Sequence, residues 1–167
     1  EKEFVRFRGY EIGSYMPVLA GLIVNDRDQS LRFMRDYFRT VSDCFVHNCY
    51  KTIGELCNAR GVKWHSENGG PWQRDAAMFR EADMLYFWGA NDIPQGEYWC
   101  DNMDALSKKT NSRYTAMASH IYGQPLAAIE AFTHMTYHWS KYPEYLKPFA
   151  DANLIDGCNM FIWHTFT

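Results

Sequence analysis

Four short stretches of the sequence share one layout, and each ends in a residue suited to acid–base chemistry. Each begins with Gly, continues with a short strand-like run, and ends with Glu67, Glu97, Glu130 or His164, at intervals of 30, 33 and 34 positions. Carboxylic acids held close together raise one another's pKa, so that one stays protonated while another is ionised. Hydrolysis of a glycosidic bond needs such a pair: an acid for the leaving oxygen, and a base or nucleophile at the anomeric carbon.

Aromatic and polar residues that could hold a sugar lie beside the same stretches. Sugar rings present flat C–H faces to aromatic rings, and their hydroxyls need amide, carboxylate or imidazole partners. Aromatic residues make up 17% of the chain, which fits either a sugar-binding surface or a large aromatic core between helices and a sheet. The candidate sugar-binding residues are His65, Asn68, Trp72, Asp92, Trp99, Phe132 and His164.

The elements that position these residues follow from the same spacing. About 30 residues make one strand–helix unit of a parallel sheet, and Gly just past a helix takes the left-handed conformation that ends it. Apolar periodicity, Asn caps and Pro in a first turn predict the helices. The predicted helices cover residues 28–60, 73–88 (with 84–88 a possible strand instead), 111–122 and about 148–156, while residues 1–26 and 98–110 are predicted to be irregular.

These units predict an α/β fold, part of a (β/α)8 TIM-type barrel with about four βα units. Active sites of such folds lie at the carboxyl ends of the strands, so the three Glu residues and His164 would meet at one mouth. A full barrel needs about 250 residues, so the 167 residues are expected to form a partial catalytic domain, 1–167. A doubly wound open sheet also alternates β and α, but no glycine-rich phosphate motif accompanies a predicted strand.

Composition disfavours several other classes of protein. The formal net charge of −3 gives no positive field for nucleic acid or an anionic membrane. The longest apolar run, near residues 17–24, is far shorter than the roughly 20 residues of a membrane span. No export signal is visible at the start of the chain, and the five cysteines, without a CxxC pair, are expected to be buried thiols.

At these residues the chain resembles a known family, the α-L-rhamnosidases of glycoside hydrolase family 106. The most specific elements are Ile93-Pro94-Gln95-Gly96-Glu97-Tyr98-Trp99 and Glu130-Ala131-Phe132-Thr133, taken together. The resemblance runs along nearly the whole chain, through residues 8–10, 14–21, 65–71, 92–99, 116–132 and 161–165.

The resemblance implies a large secreted or periplasmic bacterial enzyme with a (β/α)8 barrel and added β-domains. It implies hydrolysis of terminal α-L-rhamnosides by an inverting route, with calcium as a candidate ligand, although nothing in the sequence requires a cofactor or fixes a metal site. Carried over, Glu130 is the base that activates water, Glu97 is a second active-site carboxylate, and Glu67 lines the sugar pocket. In the family, a further strand bearing a Glu precedes the Arg8-Gly9-Tyr10 segment. The general acid is therefore expected outside this chain, and the isolated residues are expected to be inactive.

Two other functions fit parts of the pattern. A metal-dependent barrel enzyme, such as a sugar isomerase, could use Glu67, Glu97, Glu130, Asp92 and His164 as oxygen-rich ligands of a divalent cation. A non-catalytic carbohydrate-binding protein could expose an aromatic platform, but such modules are usually β-sandwiches and this sequence is typical of an α/β fold.

Overall fold

A computed structural model of the chain describes residues 1–66, 83–101, 111–135 and 137–164. The first part of the chain is helical, and strands alternate with helices in the second part. The elements are α1 (Lys2–Arg8), a 3₁₀ helix (Gly13–Ala20), α2 (Arg27–Phe45), a π-helical turn (Val46–Tyr50), α3 (Lys51–Asn58), α4 (Met84–Gly89), β1 (Gln95–Trp99), α5 (Asn111–Tyr122), β2 (Ala128–Thr133), α6 (Pro143–Ile155) and β3 (Met160–Trp163).

The three strands form a parallel sheet in the order β1-β2-β3. The Cα atoms of Glu97 and Glu130 are register partners between β1 and β2, and Glu130 is in turn the partner of Ile162 in β3. Because successive side chains of a strand point to opposite faces, the two glutamates lie on the same face of the sheet. The α/β class and the parallel arrangement predicted from the sequence are confirmed.

The opposite face of the sheet is apolar and packs on α6. Tyr98, Ile129 and Ala131 form one buried cluster with Phe149 of α6 and the thiol-bearing Cys158. Two of these rings, Tyr98 and Phe149, are nearly parallel, with centroids 6.3 Å apart. Burial of this face fixes the strand register, since a slip by one residue would move the glutamates into the apolar core.

The helical first part has its own core and is joined to the rest by one long helix. Phe4, Val18 and Phe33 are the buried centre of this core. Arg8 of α1 forms a largely buried ion pair with Asp43 of α2. None of the helices in the described residues is long and apolar enough to cross a bilayer.

The long helix predicted over residues 28–60 is confirmed as α2 and α3, which follow one another as one continuous helix. Its start is capped by Asp26, whose carboxylate accepts a hydrogen bond from the backbone N–H of Gln29 at 2.8 Å, as an N-cap should. A π-helical turn at Val46–Tyr50 then joins α2 to α3 without a break. The prediction of an irregular segment over residues 1–26 is wrong, because α1 and the 3₁₀ helix form there around buried Phe4 and Val18.

β1 and β2 begin later in the sequence than the spacing between each Gly and its Glu predicted. Glu97 and Glu130 are the third residues of β1 and β2 rather than the residues that follow a strand. The residues that follow Gly89 and Gly123 form turns instead. These turns contain Pro94 and Pro125, and proline has no N–H to donate to a neighbouring strand. Residues 62–66 form no strand, so the described residues contain three strands rather than four.

One helix boundary also differs from the prediction. The last helix begins at Pro143 instead of near Pro148, because Pro143 occupies the first turn and Tyr142 has the extended backbone of a cap. Residues 84–88 are helical, which settles the alternative left open for them; residues 73–82 lie outside the described residues. Gly61, Gly123 and Gly157 have the expected left-handed conformation, whereas Gly89 lies at the end of α4 and carries a tyrosine ring against its Cα.

Candidate functional site

Two glutamates on neighbouring strands form the centre of the candidate site. Glu97 is 7% exposed, and the side chain of Glu130 is 17% exposed. Neighbouring strands are about 4.8 Å apart, so the register pairing brings two carboxylates of distant sequence onto one patch. The sequence predicted that Glu97 and Glu130 converge, and the register places their Cα atoms side by side.

Trp99 holds the first of these carboxylates. Its indole Nε1 donates a hydrogen bond of 2.8 Å to Oε1 of Glu97, two residues earlier on the same strand. Residues i and i+2 of a strand face the same side, which makes this contact possible. Trp99 was predicted to bind sugar; in the structure its N–H is engaged with Glu97, and the ring is half-buried beside it.

The second carboxylate lies in a small polar group with Thr133 and His164. The Thr133 hydroxyl lies 3.4 Å from Oε1 of Glu130 and 2.9 Å from Nδ1 of His164. The same His164 nitrogen lies 3.5 Å from Oε1 of Glu130. Donation from His164 to Thr133 and from Thr133 to Glu130 is one proton arrangement that uses both contacts.

A bulge in β2 aims Thr133 at this group. Glu130 and Thr133 are three residues apart, an odd interval that would put them on opposite faces of a regular strand. The register shifts between Glu97 and Trp99, so that β2 carries one extra residue there. Phe132 takes the positive φ of 71° at this point. Such a bulge re-aims the side chains that follow it, and bulges of this kind are over-represented beside active sites.

His65 reaches the same sheet from the neighbouring segment. Its Nδ1 lies 2.6 Å from Oε1 of Gln95, which precedes Glu97 by two residues and shares its face. The segment is held against the start of β1 by Trp64, whose carbonyl accepts from the backbone N–H groups of Asp92 and Ile93 at 2.9 and 3.4 Å. His65 therefore lies at the edge of the sheet face that carries the two glutamates (the polar face), next to Gln95 rather than next to the carboxylates.

Asp92 lies away from the two glutamates. It precedes β1, at the amino end of the sheet, and its Oδ2 accepts a 2.8 Å hydrogen bond from the backbone N–H of Trp64. Its Oδ1 is 3.3 Å from the amide of Asn58 and 3.7 Å from the ammonium of Lys63. These contacts tie the end of the helical part to the sheet, and they occupy both oxygens of the predicted sugar partner.

The Phe132 side chain is packed in the protein interior rather than exposed to a ligand. It is 9% exposed within the apolar cluster, with its ring centroid 4.5 Å from that of Trp163 and 5.8 Å from that of Phe161. Trp163, in contrast, is 62% exposed at the end of β3, beside His164. The predicted residues Glu67, Asn68 and Trp72 lie outside the described residues.

Sequence reasoning missed Thr133 and Gln95 as members of this face. Gln95 follows from the alternation that selects Glu97 and was open to prediction. Thr133 depends on a bulge at a non-glycine residue, for which the sequence carries no signal.

Metal binding has limited support from the described part of the chain. Calcium takes 6–8 oxygen ligands, and no group of three or more His, Cys, Asp or Glu side chains among the described residues is placed to hold a metal ion. Asp92, one of the ligands proposed for a metal-dependent enzyme, lies at the other end of β1. The described residues do not by themselves fit a calcium site.

Comparison with known proteins places this geometry in context. The sequence model of glycoside hydrolase family 106, alpha-L-rhamnosidase, matches residues 1–167. A protein of Formosa agariphila named "Putative beta-glucuronidase" is 28% identical over 167 residues, which are 99% of this chain and 13% of that protein. The solved structure of the rhamnosidase from Novosphingobium sp. PP1Y is similar with a TM-score of 0.79 and 28% identity, over 99% of this chain and 16% of that one. The chain thus spans a small part of both relatives.

Proposed function

Because this chain belongs to glycoside hydrolase family 106, the α-L-rhamnosidases, we propose that it carries part of the active site of an enzyme that hydrolyses terminal α-L-rhamnosides. The observation that supports this most directly is the register pairing of Glu97 with Glu130 on one face of the sheet. The polar contacts of both carboxylates, to Trp99 on one side and to Thr133 and His164 on the other, add to it.

In the proposed mechanism Glu130 is the base. It takes a proton from a water molecule, the water oxygen bonds to the anomeric carbon, and the bond from that carbon to the leaving oxygen breaks. An acid on the opposite side of the sugar ring gives its proton to the leaving oxygen. Thr133 and His164 orient the Glu130 carboxylate through the contacts described above.

The strand spacing argues that Glu97 is not this acid. An inverting pair needs carboxyl groups about 6.5–9.5 Å apart, to leave room for the water. The two glutamates are register partners on adjacent strands, which are about 4.8 Å apart. Glu97 therefore serves to bind a sugar hydroxyl, and the proton comes from another residue of the enzyme.

We further propose that the sheet is part of a (β/α)8 barrel and that residues 1–167 are one portion of a longer catalytic domain. Support comes from three parallel strands in sequential order with a helix before each of β2 and β3. The polar face would line the interior of the barrel, and the face packed on α6 would be its outer layer. On this proposal, the isolated chain is inactive.

Substitution of Glu130 in the full-length protein tests the function. Loss of a general base typically costs about 10²–10⁴-fold in rate, so Glu130→Gln should lower kcat for an aryl α-L-rhamnoside by that factor while rhamnose still binds. The matched control is Glu144→Gln, at an exposed carboxylate in the first turn of α6, which should keep normal activity.

Two readouts decide between this function and its rivals. Proton NMR of the first product should show the β-anomer of L-rhamnose, as inversion requires, and retention would contradict the mechanism. Because one relative is named as a glucuronidase, an aryl β-glucuronide belongs in the same assay. Hydrolysis of that substrate in place of the rhamnoside would overturn the proposed substrate, and near-normal activity of Glu130→Gln would overturn the role of Glu130.

A further inference from the structure

Three aromatic residues stand exposed in the segment that follows β2. Tyr137 is 89% exposed, Trp139 97% and Tyr142 57%. We name this segment, residues 137–142, the aromatic loop. Single exposed apolar residues are common and need no explanation, but three exposed rings within six residues of one segment are a local concentration of aromatic side chains.

The aromatic loop is fastened to the end of β1. Asp101 accepts a 2.7 Å hydrogen bond from the backbone N–H of Met135, just before the loop, through its side chain. The backbone carbonyl of the same residue accepts from Nζ of Lys141, inside the loop, at 2.9 Å. Lys141 also lies 4.1 Å from the ring centroid of Tyr145. The rings are therefore presented from a backbone fixed at both ends.

The conformation of Trp139 is costly for an isolated chain. Its φ of 62° lies in the left-handed region, which a bulky L-residue seldom adopts. Strained conformations persist where the surroundings determine them, and they cluster at ligand-binding sites. The folded protein thus holds Trp139 in a strained backbone conformation, although its indole is not packed in the protein core.

The loop leaves the sheet at the carboxylate site. Thr133, which contacts Glu130 and His164, precedes Tyr137 by four residues, so the two backbones lie within about 14 Å. The loop is at the carboxyl end of β2, where ligands of parallel α/β folds bind.

The chemistry of the loop fits a neutral ring. Its single cation, Lys141, is engaged with Asp101 and Tyr145, and the segment Tyr137-His138-Trp139-Ser140-Lys141-Tyr142 has no acidic residue. Flat apolar faces and side-chain hydroxyls match a pyranose or an aryl ring better than a charged group. We propose, on the basis of the function proposed above, that the aromatic loop binds the ring of the leaving group attached to the rhamnose.

The test compares leaving groups in the full-length protein. Trp139→Asn removes the indole, and asparagine accepts the left-handed backbone. We expect kcat/KM to fall about tenfold for a rhamnosyl disaccharide or an aryl rhamnoside and to change less than about twofold for methyl α-L-rhamnoside, which has no second ring. Loss with the disaccharide alone identifies a sugar ring as the natural occupant, and loss with the aryl substrate alone identifies an aromatic one.

Two further variants make the result specific to the ring. Trp139→Phe should restore most of the loss, because it keeps a flat apolar face. Tyr122→Ala removes an aromatic side chain that is 41% exposed at the far end of α5, and it should leave the ratio between substrates unchanged.

Several outcomes would overturn the subsite. Equal losses with all three substrates would mean that Trp139 supports folding or chemistry, and unchanged kinetics would mean that the loop binds nothing. A lowered melting temperature of Trp139→Asn with unaltered substrate ratios would show that another part of the protein covers the ring. If the wild type cleaves no rhamnoside at all, the proposed function fails, and the subsite fails with it; cleavage with an unaltered ratio defeats the subsite alone.

Discussion

At the scale of single residues, the Thr133 hydroxyl joins the candidate base to a neighbouring histidine. It is 4% exposed and touches both Glu130 and His164. A buried hydroxyl between a carboxylate and an imidazole fixes the direction in which the carboxylate points. In the proposed mechanism it positions Glu130 rather than contacting the substrate.

Substitution of Thr133 should separate positioning from packing. Thr133→Val keeps the volume and removes the hydroxyl; a hydrogen bond to a charged group is worth about 1.5–3 kcal/mol, so we expect kcat to fall about ten- to a hundredfold with little change in KM. Thr133→Ser should retain most of the activity. The measurement is the split between kcat and KM together with the melting temperature: a positioning role lowers kcat alone, whereas a purely structural role would lower the melting temperature as well. A valine variant with wild-type kcat would contradict this role.

The residues of the site differ in how far the sequence predicts them. The pairing of Glu97 with Glu130 followed from their interval of 33 positions and from the geometry of parallel units. The inclusion of Thr133 did not, because the bulge at Phe132 has no glycine or turn motif to mark it. The role of Asp92 was also hidden, since a carboxylate before a strand can face substrate or tie down a neighbouring segment.

At the scale of elements, α4 and α5 meet through a glycine and a tyrosine. A Cβ at Gly89 would lie 2.3–2.6 Å from ring atoms of Tyr122, far below any normal contact. A side chain at this position would force the Tyr122 ring to move, so the constraint on Gly89 is one of space rather than of backbone freedom. The tyrosine ring, although 41% exposed, is therefore part of the contact between the two helices.

A double-mutant cycle tests this contact. Gly89→Ala should destabilise the protein by about 1–3 kcal/mol through overpacking. In a Tyr122→Ala background the same change should cost much less, which gives a coupling free energy of about 1 kcal/mol or more. Thermal unfolding of the four proteins measures it, and additive effects would show that Gly89 is required for another reason.

The prediction of helices was correct where an apolar pattern extended over many residues, and it was wrong where the elements were short. The helix over residues 27–58 contains apolar residues at 3–4 spacing throughout, and such long patterns are hard to mistake. The helix Lys2–Arg8 has seven residues and no side-chain cap, and it is held in place by tertiary contacts such as the Arg8–Asp43 pair. Short elements of this kind depend on partners that a local pattern does not contain.

At the scale of the whole molecule, the layer between sheet and α6 excludes solvent from a reactive group. Burial raises the pKa of the Cys158 thiol to about 12 from the ordinary value of 9.0, and nearby Asp156 adds to the rise. Only the thiolate reacts rapidly with alkylating agents. The reactivity of Cys158 therefore reports the integrity of this layer.

Alkylation followed by mass spectrometry should show this protection. At pH 8–10 Cys158 should stay unlabelled in the folded protein and label rapidly in denaturant, whereas half-buried Cys57 should label without denaturant. The sign for stability follows: above pH 9 the unfolded chain releases the Cys158 proton and the folded chain retains it, so this contribution to stability falls as pH rises towards 12. Fast labelling of Cys158 at pH 8 in the folded protein would contradict the packing.

The complete architecture was beyond prediction from this chain. Three parallel strands with intervening helices are common to barrels and open sheets, and the sequence distinguishes them only by the absence of phosphate-binding motifs. The chain covers 16% of the similar rhamnosidase structure. Closure of a barrel depends on strands that other residues provide, and no local pattern in residues 1–167 specifies it.

The π-helical turn at Val46–Tyr50 has a consequence for how this chain tolerates changes in length. One extra residue rotates everything downstream on a helix by about 100°, so the two halves of the long helix show different sides to their surroundings. His47 lies in the turn with Nε2 2.7 Å from the Tyr86 hydroxyl, and beyond it Gly54 faces the Trp64 indole, 3.6 Å from a Cβ placed there. Deletion of a single residue between them would swing a side chain towards that indole. Each residue inserted into or deleted from this helix should therefore change which side chains face the rest of the protein.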